Sequence, residues 1–164
     1  MSLDSLEKLF LEELRDVYNA EKQQLRSLAR LAKAADSAEL KQGFTKHQKE
    51  TEGQIQRLER VFRELGQPVR GKTCKGMQGL IEESKEILEK DAEPAVLDAA
   101  LIATAQKAEH YEIAAYGTLR TYANQLGLKD HARLLQATLD EEGNTDKLLT
   151  RIAERRVNRD AEVR

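Results

Sequence analysis

Four long stretches of this 164-residue chain place apolar side chains at steps of three and four residues. That spacing restricts them to amphipathic helices, because it lines one face of a 3.6-residue turn. In the first, Leu6, Phe10, Leu14, Val17, Leu28 and Leu31 form the stripe, with Asp4 and Glu7 as a capping pair at its start. The second carries Leu40, Phe44, Leu58, Phe62 and Leu65, opens on Asp36 or Ser37 as cap, and stops at Gly66 and Pro68. The third begins at Pro94, a residue suited to a first helical turn, and runs through Leu97, Leu101, Ala105, Tyr116 and Leu119 to Gly127. The fourth starts near Asp130 and carries Leu134, Leu135, Leu139, Leu149 and Ile152, and the last residues are expected to fray. The predicted helices cover 3–35, 37–65, 94–126 and 130–156. With 34% charged residues, 4% aromatics and 2 prolines, the chain suits helices with charged outer faces better than strands. The expected fold class is all-α, in one domain over 1–164.

The connections decide how four helices assemble. Tight turns join the first helix to the second and the third to the fourth, so each pair is an antiparallel hairpin. The connection over 66–93 is different: "QPVRGKTCKGMQG" is rich in glycine and charge, and "LIEESKEILEK" reads as a short helix. Neighbouring bundle helices are usually joined by about two to eight residues, and this segment is far longer. A helix of about 30 residues is about 45 Å long, a distance that a part-helical, part-extended connection can cover. One long crossover between two hairpins is the ferritin-like four-helix bundle rather than the simple up-down-up-down arrangement.

Several classes of function are disfavoured by composition. A formal charge of -2 provides no general attraction to nucleic acid or anionic lipid, and the basic run "RIAERRVNR" reads as a solvated helix end. The single cysteine, Cys74, cannot form an internal disulfide and reads as a small buried hydrophobe. The opening "MSLDSLEKLF" lacks the basic start and apolar run of a signal peptide, and no apolar stretch approaches the roughly 18 residues that span a bilayer. A cytoplasmic protein with neither nucleic-acid nor membrane partners is expected.

Each stripe is interrupted by acid. Val17, Glu21, Gln24, Leu28 places Glu21 inward; His47, Glu50, Thr51, Gln54, Leu58 places Glu50 at or beside the seam. In "AEHYEIAAY" both Glu109 and Glu112 fall on the stripe, and in Leu135, Leu139, Glu142, Asp146, Leu149 two more acids do. Counted from the turn near residue 36, Glu21 and Glu50 both lie about 22 Å along their helices. Counted from the turn near residue 128, Glu109, Glu112, Glu142 and Asp146 are likewise level with one another. The hairpins echo each other, "AEKQQ" aligning with "AEHYE". No Lys or Arg lies on these inner positions, and unpaired buried carboxylates cost several kcal/mol. The layer must therefore be open to water, share protons, or hold cations; a pair of ions with hard oxygen ligands satisfies it.

This layout resembles the ferritin-like di-iron carboxylate proteins, and its second inward Glu on the third helix is similar to the rubrerythrin branch. "DVYNAEKQ", "HQKETEGQ", "DAALIATAQKAEHYEIAAYGTL" and "TLDEEGNTDKL", with the crossover "CKGMQGLIEES", more closely resemble the bacterial YciF-like family, ferritin-like proteins linked to stress. The resemblance implies metal ligands at Glu21, Glu50, Glu109, Glu112 and Glu142. It implies two bound metal ions, iron first, with manganese or magnesium as alternatives, and reaction with peroxide or O₂. The usual histidines are missing, since Gly53 and Thr145 occupy those positions. Asp146 and Gln54, one residue further on, are candidate substitutes. His47 reads first as a hydrogen-bonded supporting histidine and second as a ligand, whereas His110 and His131 are expected outside the site.

Tyr18, Tyr111, Tyr116 and Tyr122 read as packing residues, although one near the centre could bond a metal-bound carboxylate. Asp16 and Asp98 read as supporting groups or salt-bridge partners. Any electron donor must be external, because one cysteine cannot build a rubredoxin-type centre. A homodimer is expected from symmetry alone. The alternative to a metalloprotein is a structural or interaction bundle of the stress response that keeps a hydrated acidic layer without using it chemically.

Overall fold

The first apolar stripe folds into α1 (Leu6–Ala34), in a computed structural model that describes residues 3–162. Met1, Ser2, Val163 and Arg164, at the ends of the expected domain, lie outside the described residues. Ser5 rather than the Asp4 and Glu7 pair caps α1: its extended backbone lets the hydroxyl accept from the Lys8 amide at 3.2 Å. Asp4 instead pairs with Lys8 on the surface. The second stripe forms α2 (Ala38–Glu64), capped by Ser37, and the crossover contains α3 (Lys75–Leu88). The third and fourth form α4 (Pro94–Gln125) and α5 (Lys129–Ile152). A π-helical turn over Ala153–Val157 then leads into α6 (Asn158–Glu162). The expected fraying is not seen through Glu162, because Val157 is buried in a cluster with Leu101, Ile102 and Ile152 and holds the end down.

Gly66 and Gly127 stop α2 and α4 with positive φ, 65° and 73°. Each closes the helix in the same way: Gln67 N donates to Phe62 O at 2.9 Å, and Leu128 N to Ala123 O at 2.8 Å. These are the six-to-one bonds of a left-handed glycine stop.

The hairpins α1/α2 and α4/α5 lie side by side, with α1 against α4 and α2 against α5. Asp98, near the start of α4, accepts from Asp36 N at 2.8 Å and Ser37 N at 2.7 Å in the α1–α2 turn. At the opposite end His131, near the start of α5, meets Glu64 at the end of α2 at 2.9 Å. The chain therefore leaves α2 at one end and re-enters α4 at the other, and the crossover traverses the bundle. This is the expected ferritin-like arrangement of two antiparallel hairpins and one long connection.

On its way the crossover is pinned to α1. Lys72 N donates to Arg15 O at 3.1 Å, Cys74 N to Asn19 Oδ1 at 2.8 Å, and Gln23 Nε2 to Cys74 O at 3.1 Å. Cys74, Met77 and Ile81 bury against Ala20 and Ala108. Gly76 is required for close approach, since a Cβ there would stand 2.7 Å from the Tyr111 ring. Among the described residues no helix is long and apolar enough to cross a membrane.

The core has two apolar halves. Phe10, Leu14, Leu58, Phe62, Leu119 and Leu135 fill one. Leu28, Leu31, Leu40, Phe44, Leu101 and Leu149 fill the other. The acids lie between them.

Candidate metal centre

Glu21 on α1, Glu109 and Glu112 on α4 and Glu142 on α5 all have no exposed surface. The phase of each stripe turns them inward, and the level positions of the four helices bring them together. One donor atom from each of His47, Glu109, Glu112 and Glu142 lies within 4.8 Å of the others. Glu21 adjoins this group: it accepts a hydrogen bond from Tyr116 OH, and Glu142 repels its charge. Tyr116 is thus the tyrosine that holds a site carboxylate.

The bonding of this cluster is incomplete. Both oxygens of Glu109, Glu112 and Glu142, together with Glu21 Oε2, are buried without a hydrogen-bond partner. His47 Nε2 lies 3.1 Å from Glu109 Oε1 and 3.4 Å from Glu142 Oε2, yet it is not aligned to bond either.

Burial, reinforced by the neighbouring acids, holds the Glu109 and Glu112 carboxyls well above the usual carboxylate range and pushes Glu21 up to about 8. Burial alone would pull His47 down, but the carboxylates of Glu109 and Glu142 outweigh it and hold the imidazole well above its ordinary value. Burial also opposes ionisation of Glu142, but the adjoining Glu109 carboxyl and the His47 charge leave it below the usual range. Without a cation, this layer draws its positive charge from one imidazole, and burial disfavours the charged form of Glu21, Glu109 and Glu112.

The other sequence-expected residues lie outside this inner set. Glu50 is half-buried and turned toward the surface, where its Oε2 stands 3.2 Å from His47 Nδ1 and its Oε1 3.2 Å from Lys46 Nζ. It sits at the edge of the α2 stripe, where a rotamer choice decides between core and solvent. Asp146 accepts from Gln106 Nε2 at 3.1 Å and meets the exposed His110 at 3.2 Å, on the outer side of the α4–α5 seam. Gln54 is buried, but its amide donates to Glu141 Oε2 at 3.0 Å and its Oε1 has no partner. His110 meets Asp146 and His131 meets Glu64, both apart from the cluster.

Two further side chains, Thr145 and Arg57, border the site. Thr145 Oγ1 lies 3.0 Å from His47 Nδ1, so the residue at a missing-histidine position supports a histidine from another helix. Arg57 forms a two-pronged pair with Glu141 at 2.7 and 2.6 Å beside Gln54. Its position one turn after Gln54 was the available signal. Asp98 is neither a supporting group nor an ion-pair partner but a backbone cap at the far tip, and Asp16 accepts from Tyr111 OH at 3.1 Å.

The fit to a cation rests on the orphaned oxygens. Buried carboxylates whose oxygens have no protein partner, with an imidazole nitrogen among them, are the donor set of a hard or borderline metal ion. Fold and site together define a four-helix bundle with one long crossover and a buried carboxylate–histidine cluster.

The sequence matches, over residues 5–162, the family described as a domain of unknown function, DUF892. It is 48% identical over 163 residues to Protein YciF of Escherichia coli (strain K12), spanning 99% of this chain and 98% of that protein. This chain belongs to that YciF-like family. The crystal structure of the E. coli stress protein YciF superimposes with a TM-score of 0.91, covering 95% of this chain and 99% of that one. YcfI from Rhodopseudomonas palustris, for which a structural role has been suggested, follows at 43% identity and a TM-score of 0.88, covering 92% and 97%. A protein from Xanthomonas campestris pv. campestris, 23% identical with a TM-score of 0.74 over 94% and 95% of the chains, shares the fold.

Proposed function

We propose that this protein is a stress-associated metalloprotein. It holds two metal ions, iron first and manganese or magnesium as alternatives, among Glu21, Glu109, Glu112 and Glu142, and reacts with peroxide or O₂. The observation that carries this reading is the set of seven buried carboxylate oxygens without partners on these four residues. A proton on one carboxyl neutralises its own charge, whereas a metal ion neutralises several of these oxygens at once and completes their bonding.

Held by these residues, iron or manganese would supply redox chemistry toward peroxide or O₂, with the reducing electrons coming from an external donor. The chain's own contributions follow from geometry. The two apolar halves of the core exclude bulk water from the layer. Tyr116 fixes one oxygen of Glu21 and leaves the other free. Glu109 and Glu112, three residues apart on α4, face the same interior from one rigid helix.

Elemental analysis of protein purified without chelator or affinity metal tests the reading, beside a Glu109→Ala, Glu142→Ala control. About two iron or manganese ions per chain, lost in the control, support it; no metal even after anaerobic Fe(II) loading overturns it. The second reading, a non-catalytic structural or interaction bundle of the stress response, draws on the acids whose charged form burial disfavours and on the role suggested for the R. palustris relative. It expects the double variant to stay folded and to gain stability. Homodimerisation and a cytoplasmic location belong to the same proposal, and sedimentation measures the first.

A further inference from the structure

The resemblance to di-iron proteins implies that Glu50 is a ligand, and the sequence reads His47 first as a supporting histidine and only second as a ligand. The geometry exchanges these roles. We propose that His47 supplies the nitrogen donor of this centre through Nε2, and that Glu50 and Thr145 are the positioning residues that aim it; this rests on the metal-binding reading above.

Three observations carry the inference. His47 is 1% exposed, and its Nε2 faces Glu109 and Glu142 at 3.1 and 3.4 Å without a hydrogen bond, so a buried ring nitrogen points into the cluster with its bonding unused. The other ring nitrogen is fully engaged: Nδ1 lies 3.2 Å from Glu50 Oε2 and 3.0 Å from Thr145 Oγ1. Thr145 in turn donates to the same Glu50 oxygen at 3.4 Å.

Glu50 is ion-paired with Lys46 at 3.2 Å and can only accept. The proton of a neutral His47 therefore sits on Nδ1, and the lone pair is left on Nε2. A carboxylate on the far nitrogen of a buried imidazole is the arrangement that orients metal-binding histidines and raises their basicity.

This also accounts for two departures from the di-iron pattern. Thr145 occupies a position where that pattern places a histidine, and here its hydroxyl serves a histidine contributed by α2. Glu50 faces outward because its work is on Nδ1. The centre is consequently asymmetric: the His47, Glu109 and Glu142 side offers nitrogen, whereas Glu21 and Glu112 offer only oxygen. Nitrogen favours transition ions over magnesium and calcium, so the His47 side fills first with manganese or iron.

The test uses the full chain loaded with less than one equivalent of Mn(II), read by pulsed electron paramagnetic resonance for coupling to ¹⁴N. Wild type should show imidazole coupling, and His47→Gln should lose it. Mn(II) affinity should fall about 10- to 100-fold in Glu50→Ala, yet stay close to wild type in Glu50→Gln, whose amide oxygen still accepts from Nδ1. Coupling that survives in His47→Gln, or Mn(II) bound to wild type with no coupling, overturns the assignment. So does Glu50→Gln binding as poorly as Glu50→Ala, which would mark Glu50 as a direct charged ligand. Absence of any Mn(II) or Fe(II) binding by wild type overturns the metal reading itself and this inference with it.

Discussion

Replacing Glu112 with leucine sets the strain of the acid layer against its use. Both Glu112 oxygens are buried without a partner, and burial together with Glu21, Glu142 and Glu109 holds the carboxyl well above its usual range. Each unsatisfied buried polar atom costs about 1–3 kcal/mol, and replacing buried ionic groups by apolar residues of similar size stabilises by about 1–4 kcal/mol. Leucine fits the volume and keeps helix propensity. For a chain of this size 1 kcal/mol moves the melting temperature by about 2–4 °C, so the metal-free variant should melt about 5–10 °C higher than wild type. Metal reverses the order. An ion at about 1,000 times its dissociation constant adds about 4 kcal/mol to wild type, and the variant, having lost a ligand, gains much less. Scanning calorimetry in chelator and then in excess Mn(II) measures both. A variant that melts at or below wild type in chelator would refute the argument that these oxygens are unmet in the metal-free protein. An equal gain from Mn(II) in both proteins would remove Glu112 from the site.

Three further outcomes are expected. Asp98→Ala removes two backbone bonds at the α1–α2 tip and should cost about 3–5 kcal/mol in urea unfolding, with Asp98→Asn losing about half of that because one acceptor oxygen remains; a loss below 1 kcal/mol would mean that water replaces the cap. Gly76→Ala should cost about 1–3 kcal/mol, because Tyr111 must move from its bonds to Asp16 and Cys74, and thermal melting reads this directly. Metal-free protein should lose stability between about pH 4.5 and pH 8. Glu21 titrates at about 8 when folded and near 4.3 when unfolded, so its contribution is complete below the unfolded value and gone above the folded one. Glu109, Glu112 and His47 act in the same direction, and Glu142 in the opposite one. A higher melting temperature at pH 8.5 than at pH 5.5 in chelator would contradict this.

Helix content and the crossover were legible in the sequence because they depend on periodicity and chain length, which survive small errors of phase. The run from Leu6 to Leu31 has one helical solution, and 66–93 is too long for a turn. Helix ends were less legible. Ser5 and Asp4 are both capping types one residue apart, and only backbone geometry selects between them.

The inward positions of Glu21, Glu109, Glu112 and Glu142 could be read because each replaces an apolar residue in the middle of a stripe. Glu50 and Asp146 could not be placed in this way, since they sit at stripe edges where the side chain turns to whichever partner is nearer, Lys46 or Gln106. His47 has the mirror-image problem: its pull toward the cluster comes from Glu109 and Glu142, more than sixty residues away. Asp98 was illegible for a similar reason, as its partners are backbone amides that carry no signal in side-chain identity.

That long-range cap also sets an order of events during synthesis. Asp98 lies 62 residues beyond the amide of Asp36 that it accepts from. At about 5–20 residues per second, the first hairpin exists for several seconds before its finishing residue is made. Through that interval the tip has two open amides, and Glu21 faces no α4 or α5. The first hairpin can be helical but cannot be finished, so the native state locks only when the second hairpin arrives and closes both the tip and the acid layer. A ribosome stalled before residue 98 should therefore hold a nascent chain that proteases cut within α2, and one stalled after the complete second hairpin has emerged should not.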